Sequence, residues 1–171
     1  MRYLFCTFSF IALLISEVCS QNETDSMKIK KIQLTCTKID LDTSYTNKTV
    51  REVDSLSYLT SLTGYFKNRK LIKIFCNYKS LRSWNKTTEF YLLNDTLICI
   101  NENEKEPDTH GSAPFMRSCS FYFENENLIR SDSCCWTSFA DGKKHYDLFD
   151  TNWEKKYMDV CNRYKKLLTA K

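Results

Sequence analysis

The side chains that could do chemistry are few. Two histidines, His110 and His145, with Lys143 or Lys144 nearby to steady an oxyanion, are the ingredients of an acid–base pair of the secreted-ribonuclease kind. Their settings argue otherwise, because His110 lies in a polar stretch and His145 in a basic turn. No Gly-x-Ser-x-Gly elbow, HExxH pair or recognisably spaced carboxylate pair accompanies them. A cysteine such as Cys119 could act as a thiol nucleophile, yet an oxidising setting assigns such a thiol to structure instead. A metal is not expected either. No C-x-x-C pair occurs, and neither histidine lies near paired cysteines. With only three glycines there is no phosphate-cradling loop, and no cofactor is expected.

The ends of the chain explain that setting. Arg2, an apolar run from Tyr3 to Ile15, and small residues at Val18-Cys19-Ser20 make residues 1–20 a secretory signal cleaved after Ser20. The run is too short for the roughly 20 apolar residues of a span, and no later segment is apolar enough. Residues 21–171 then form one secreted, disulfide-rich, glycosylated domain. Cys36, Cys76, Cys99, Cys119, Cys134, Cys135 and Cys161 remain after the leader. Seven is odd, so at most three internal disulfides form and one thiol is left for burial, capping or a bridge between two chains. Sequons begin at Asn22, Asn47, Asn85 and Asn94, and each demands a surface position if used.

A net charge of +4 is too mild to imply a nucleic-acid partner. Basic residues gather at Lys28-Ile29-Lys30-Lys31 and from Lys67 to Lys73, and residues 101–108 are acidic.

The elements that must position these groups read as mostly β. Ile32, Leu34 and Cys36 alternate with polar neighbours as a strand does, and Ile72, Ile74, Cys76 and Tyr78 repeat the pattern. Phe90 to Leu93 and Thr96 to Ile100 flank an Asn94-Asp95 turn. Phe115, Arg117, Cys119, Phe121 and Phe123 share one face of a further strand. The expected architecture is a single disulfide-stabilised antiparallel sheet with a C-terminal helix at about 151–168. Thr151 and Glu154 form its capping box, and Trp153, Tyr157, Cys161, Tyr164 and Leu168 its apolar stripe. Helical spacing of Val53, Leu56, Leu59, Leu62 and Phe66 leaves open an α+β alternative with a helix at 50–66. The polar stretch from Asn101 to Pro114 reads as a long loop, and no internal repeat is recognised.

Phe90-Tyr91-Leu92-Leu93-Asn94-Asp95 leading to Cys99, then Cys119-Ser120-Phe121-Tyr122-Phe123, Cys134-Cys135, and Lys144-His145-Tyr146-Asp147 ahead of Cys161 resemble the closing portion of the lipocalins secreted in tick saliva. The resemblance covers roughly residues 90–161 and rests on cysteine order and aromatic strands. It implies a lipocalin-like barrel, a Cys36–Cys161 disulfide, and a bond from Cys99 to Cys134 or Cys135. Cys76 and Cys119 depart from the family pattern.

The functional expectation is a secreted binding protein that sequesters an extracellular mediator and so modulates immunity. One form holds a small amine or lipid mediator in a cavity lined by Tyr91, Phe121 and Phe123. Another engages a cytokine, chemokine or complement protein over about 800 Å², with the acidic 101–108 loop meeting a basic partner. A secreted hydrolase such as a ribonuclease is the third.

Overall fold

The computed structural model describes residues 24–54, 59–79, 85–106, 115–136 and 153–170. The leader, sequon residue Asn22, His110, His145 and Lys143-Lys144 lie outside these, as do the side chains of Cys134 and Cys135.

Helix α1 (residues 24–41) precedes seven strands: β1 (Thr46–Asp54), β2 (Leu59–Lys67), β3 (Lys70–Lys79), β4 (Asn85–Leu93), β5 (Thr96–Glu106), β6 (Phe115–Glu124) and β7 (Asn127–Trp136). Helix α2 (Trp153–Thr169) closes the chain. The strands form one antiparallel meander in sequence order, open at β1 and β7. The chain is thus mostly β, as expected.

One sequence expectation is corrected and one open alternative is decided. Residues 32–36 belong to a helix, because Ile29, Ile32, Cys36 and Ile39 recur at helical spacing and pack inward while Leu34 points to solvent. The alternation that suggested a strand is a fragment of this longer period. The alternative of a helix at 50–66 gives way to strands at its described residues, 50–54 and 59–66. β1 and β2 occupy its ends, paired Val50 to Leu62 and Thr46 to Phe66, and Val50, Leu59, Leu62 and Phe66 pack into the core of one sheet face.

An internal repeat emerges from the register. Tyr65-Phe66-Lys67-Asn68-Arg69-Lys70-Leu71-Ile72, Tyr91-Leu92-Leu93-Asn94-Asp95-Thr96-Leu97-Ile98 and Tyr122-Phe123-Glu124-Asn125-Glu126-Asn127-Leu128-Ile129 are three versions of one hairpin. In each, the register shifts between the tyrosine and the next residue, a bulge that twists the hairpin. Both turn residues have positive φ, from 50° to 69°, as a two-residue primed turn requires, and asparagine leads each turn because it tolerates that conformation. The side chains that end the repeat split between faces. Leu71, Leu97 and Leu128 join the core under α2, whereas Ile98 and Ile129 pack toward α1. The positions between the recurring residues vary, even at Phe66, Leu92 and Phe123, which pack into the core under α2, so the repeat hides behind variable neighbours.

The helices cover opposite faces. Under α2 lies the larger core, with Leu62, Ile74, Cys76, Phe90, Leu92, Ile100, Cys119, Phe121 and Phe123 facing Cys161, Tyr164 and Leu168. Gly64 has no side chain because a Cβ there would stand 2.9 Å from Leu168 Cδ1. The expected stripe of α2 is therefore the contacting face at Tyr157, Cys161, Tyr164 and Leu168. Under α1 lies a smaller cluster of Ile29, Cys36, Tyr91, Cys99 and Tyr122.

Candidate binding face on the first helix

Helix α1 runs across the strands as a strap over the three hairpins, and its period explains the fit. Seven helical residues advance about 10.5 Å, close to the roughly 9.6 Å spanned by two strand spacings. The repeat's tyrosines, Tyr65, Tyr91 and Tyr122, stand two strands apart. Gln33 Nε2 donates to Tyr122 Oη at 2.9 Å, and seven residues on, Asp40 Oδ2 accepts from Tyr91 Oη at 2.9 Å. Beyond the helix Tyr45 meets Tyr65 edge-on, with ring centroids 4.9 Å apart. A second heptad set, Lys28, Thr35 and Asp42, reaches the residue before each turn asparagine: Lys28 pairs with Glu124 at 2.6 Å, Thr35 shares its surroundings with Leu93, and Asp42 pairs with Lys67. The Lys67 bond, with help from Ser44, holds the Asp42 carboxyl well below the usual carboxylate range.

Lys73 knots the strap to the sheet, 2.6 Å from Asp40 and 2.8 Å from Glu89, with its ammonium 4.8 Å from the Tyr91 ring centre. Burial alone would lower Lys73; the Asp40 and Glu89 bonds outweigh it and raise its pKa. Tyr91 is raised by burial and by the charge of Glu89.

With its inner groups so engaged, α1 turns a distinct face outward. Met27, Leu34 and Leu41, again seven apart, are 70%, 55% and 77% exposed. Lys30, Lys31 and Lys38 flank them, all exposed. Asp25, Asp40 and Asp42 are spent on Lys28, Tyr91 with Lys73, and Lys67, so no acid of 24–41 stands among the outward lysines. Two open grooves border the helix, of about 440 and 360 Å³, and share Thr35, Leu93 and Asn94. Lys38 lines the first groove and Lys31 the second, so both grooves adjoin the outward row, and the sequon residue Asn94 sits where they meet.

The residues expected to line one cavity do not meet. Phe121 and Phe123 are buried under α2, with the Phe121 ring 5.3 Å from that of Tyr157, while Tyr91 lies on the opposite face under α1. Asn47, Asn85 and Asn94 are exposed, as sequons require.

The acidic 101–108 loop is also corrected, because residues 101–106 are the end of β5. Glu102 is 1% exposed and neutralised: Lys86 Nζ lies 2.6 Å from Oε2, Tyr157 Oη donates to Oε2 at 2.6 Å, and Arg117 Nη2 donates to Oε1 at 3.2 Å. Burial and the Glu102 charge raise Tyr157 in turn. Its buried neighbour across the strand, Thr88, has no hydrogen-bond partner for its hydroxyl. Glu102 is thus internal and cannot greet a basic partner, and Asp108 lies outside the described residues. No pattern in the sequence announced Glu102, whereas the heptad of Met27, Leu34 and Leu41 was readable once 24–41 is taken as a helix.

Among the described residues no cluster of three His, Cys, Asp or Glu side chains could hold a metal, and no helix is long and apolar enough to cross a membrane. No family model, curated protein or solved structure matches the chain.

Proposed function

We propose that this chain is a secreted binding protein that captures an acidic extracellular protein on the outward face of α1. The observation that carries the reading is the exposed row Met27, Leu34 and Leu41 flanked by Lys30, Lys31 and Lys38. Exposed apolar side chains inside a one-sign rim are the anatomy of a docking surface. The charge decides the occupant: a second copy of the same face would set lysine against lysine, whereas a partner with an apolar centre and an acidic rim is complementary. At about 27 Å long, α1 spans a standard interface when its flanks contribute. Capture of a mediator this way blocks it without any catalytic group. The small-mediator form loses its basis, since its three lining aromatics divide between two faces and α2 covers two of them.

Native mass spectrometry of the secreted, glycan-trimmed protein tests this. The probes are a panel of acidic cytokines, a panel of amine and lipid mediators, and phosphatidylserine vesicles. The expected result is a one-to-one complex with an acidic cytokine that weakens with salt, and at least tenfold on combining Lys30→Glu, Lys31→Glu and Lys38→Glu. A small-molecule adduct indifferent to those changes, or binding to the vesicles alone, would overturn it.

A further inference from the structure

Cys36, Cys76, Cys99, Cys119 and Cys161 are all buried, and the closest cysteine pair is 4.0 Å apart. Their placement is not random. Across the α1 face the register aligns Lys73 with Tyr91, Tyr91 with Cys99, and Cys99 with Tyr122. Cys99 therefore sits midway between the two tyrosines that hold α1. On the helix, Asp40 holds Tyr91 and Gln33 holds Tyr122, and Cys36 is the inward residue between them. The helical period thus sets Cys36 over Cys99 in the same buried cluster, near enough for Cys36 to push the Cys99 thiol up.

The α2 face repeats the arrangement. Cys76 on β3 aligns with Leu62 on one side and Thr88 on the other, and Thr88 with Glu102. Tyr157 of α2 reaches Glu102, and Tyr164 reaches Tyr78, two residues from Cys76, at 3.0 Å. Cys161, one turn from each, shares the buried cluster and the electrostatic surroundings of Cys76.

We propose that Cys36–Cys99 and Cys76–Cys161 are two disulfides of this protein, each stitching one helix to its own face of the sheet. The bonds form by thiol–disulfide exchange with the oxidised dithiol site of an oxidoreductase. For each, two S–H bonds break, one Sγ–Sγ bond forms, and the enzyme's disulfide accepts the two electrons and, with solvent, the two protons, leaving as a dithiol. Both pairs bridge chain segments far apart in sequence, where a cross-link restricts the unfolded chain most. The Cys36–Cys161 bond implied by the lipocalin resemblance is not compatible with this fold, because the whole sheet stands between those residues. Cys119, opposite Ser133, and Cys134 and Cys135, opposite Ser118 and Arg117, then supply the third bond and the odd thiol. The odd thiol belongs to the β6–β7 hairpin.

The test is disulfide mapping of the full chain, secreted with its leader, alkylated unreduced and digested for mass spectrometry. Cross-linked peptides joining Cys36 to Cys99 and Cys76 to Cys161 are expected, with the alkylated thiol at Cys119, Cys134 or Cys135. A Cys36–Cys161 or Cys99–Cys134 peptide, or alkylation of any of the four proposed partners, would overturn the assignment. As a second reading, Cys36→Ser should expose one additional thiol on denaturation, at Cys99. A new thiol anywhere else contradicts the pairing.

Discussion

The two faces of the sheet solve the same problem with opposite polarity. Under α2 the acid belongs to the sheet and the tyrosine to the helix: Glu102 receives Tyr157, Lys86 and Arg117. Under α1 the acid belongs to the helix and the tyrosine to the sheet: Asp40 receives Tyr91 and Lys73. Burial separates them. The Glu102 side chain is 1% exposed and that of Asp40 is 43% exposed. A buried acid with three donors is expensive to disturb, because each partner would be stranded away from water, whereas a half-exposed acid lets solvent replace what is lost. The α2 face is therefore the foundation of the fold, and the α1 face is a strap that polar contacts hold in place while its outside stays exposed.

Breaking the deeper knot should have the largest effect. Glu102→Gln removes the buried charge that Lys86 and Arg117 share, leaving Arg117 with its longer contact to Glu104 at 3.9 Å, and should cost about 3–5 kcal/mol in urea unfolding. Asp40→Asn should cost about 1 kcal/mol or less, because Glu89 still pairs with Lys73 and the site is partly solvated. Equal losses from the two changes would erase the distinction between foundation and strap. The smallest effect at neutral pH concerns the tyrosines themselves. Tyr78, Tyr91 and Tyr157 are all raised, first by burial. A raised phenol favours the folded state below the unfolded value near 10 and loses that contribution as pH climbs past it. Stability should be flat to about pH 10 and then fall, with phenolate absorbance appearing together with unfolding. Early phenolate absorbance in the still-folded protein would show that the latches are open to solvent.

How much of this was legible follows from the range of each cause. The hairpin at Asn94-Asp95, the strands at Ile72 to Tyr78 and Phe115 to Phe123, and the stripe of α2 were readable, because turn chemistry and side-chain period are local. Helix α1 was not, since three residues of an amphipathic helix can imitate a strand and β-branched isoleucines strengthen the imitation. The hairpin repeat escaped because only its tyrosine, asparagine, leucine and isoleucine recur. The candidate face escaped with α1: Lys28 to Lys31 and Lys67 to Lys73 stood out as basic runs, but only the helix shows which lysines point outward. Residues 101–106 misled because a run of acids resembles a loop until cross-strand lysine and arginine neutralise it.

By itself the sequence determined the β-rich composition, the primed turns at asparagine and the C-terminal helix, all consequences of each residue's immediate neighbours. Tertiary structure decided which face each helix covers, which acid lies buried, and which cysteine stands over which. Those depend on strand register and on the match between seven helical residues and two strand spacings, distances that appear only when segments remote in the chain come together.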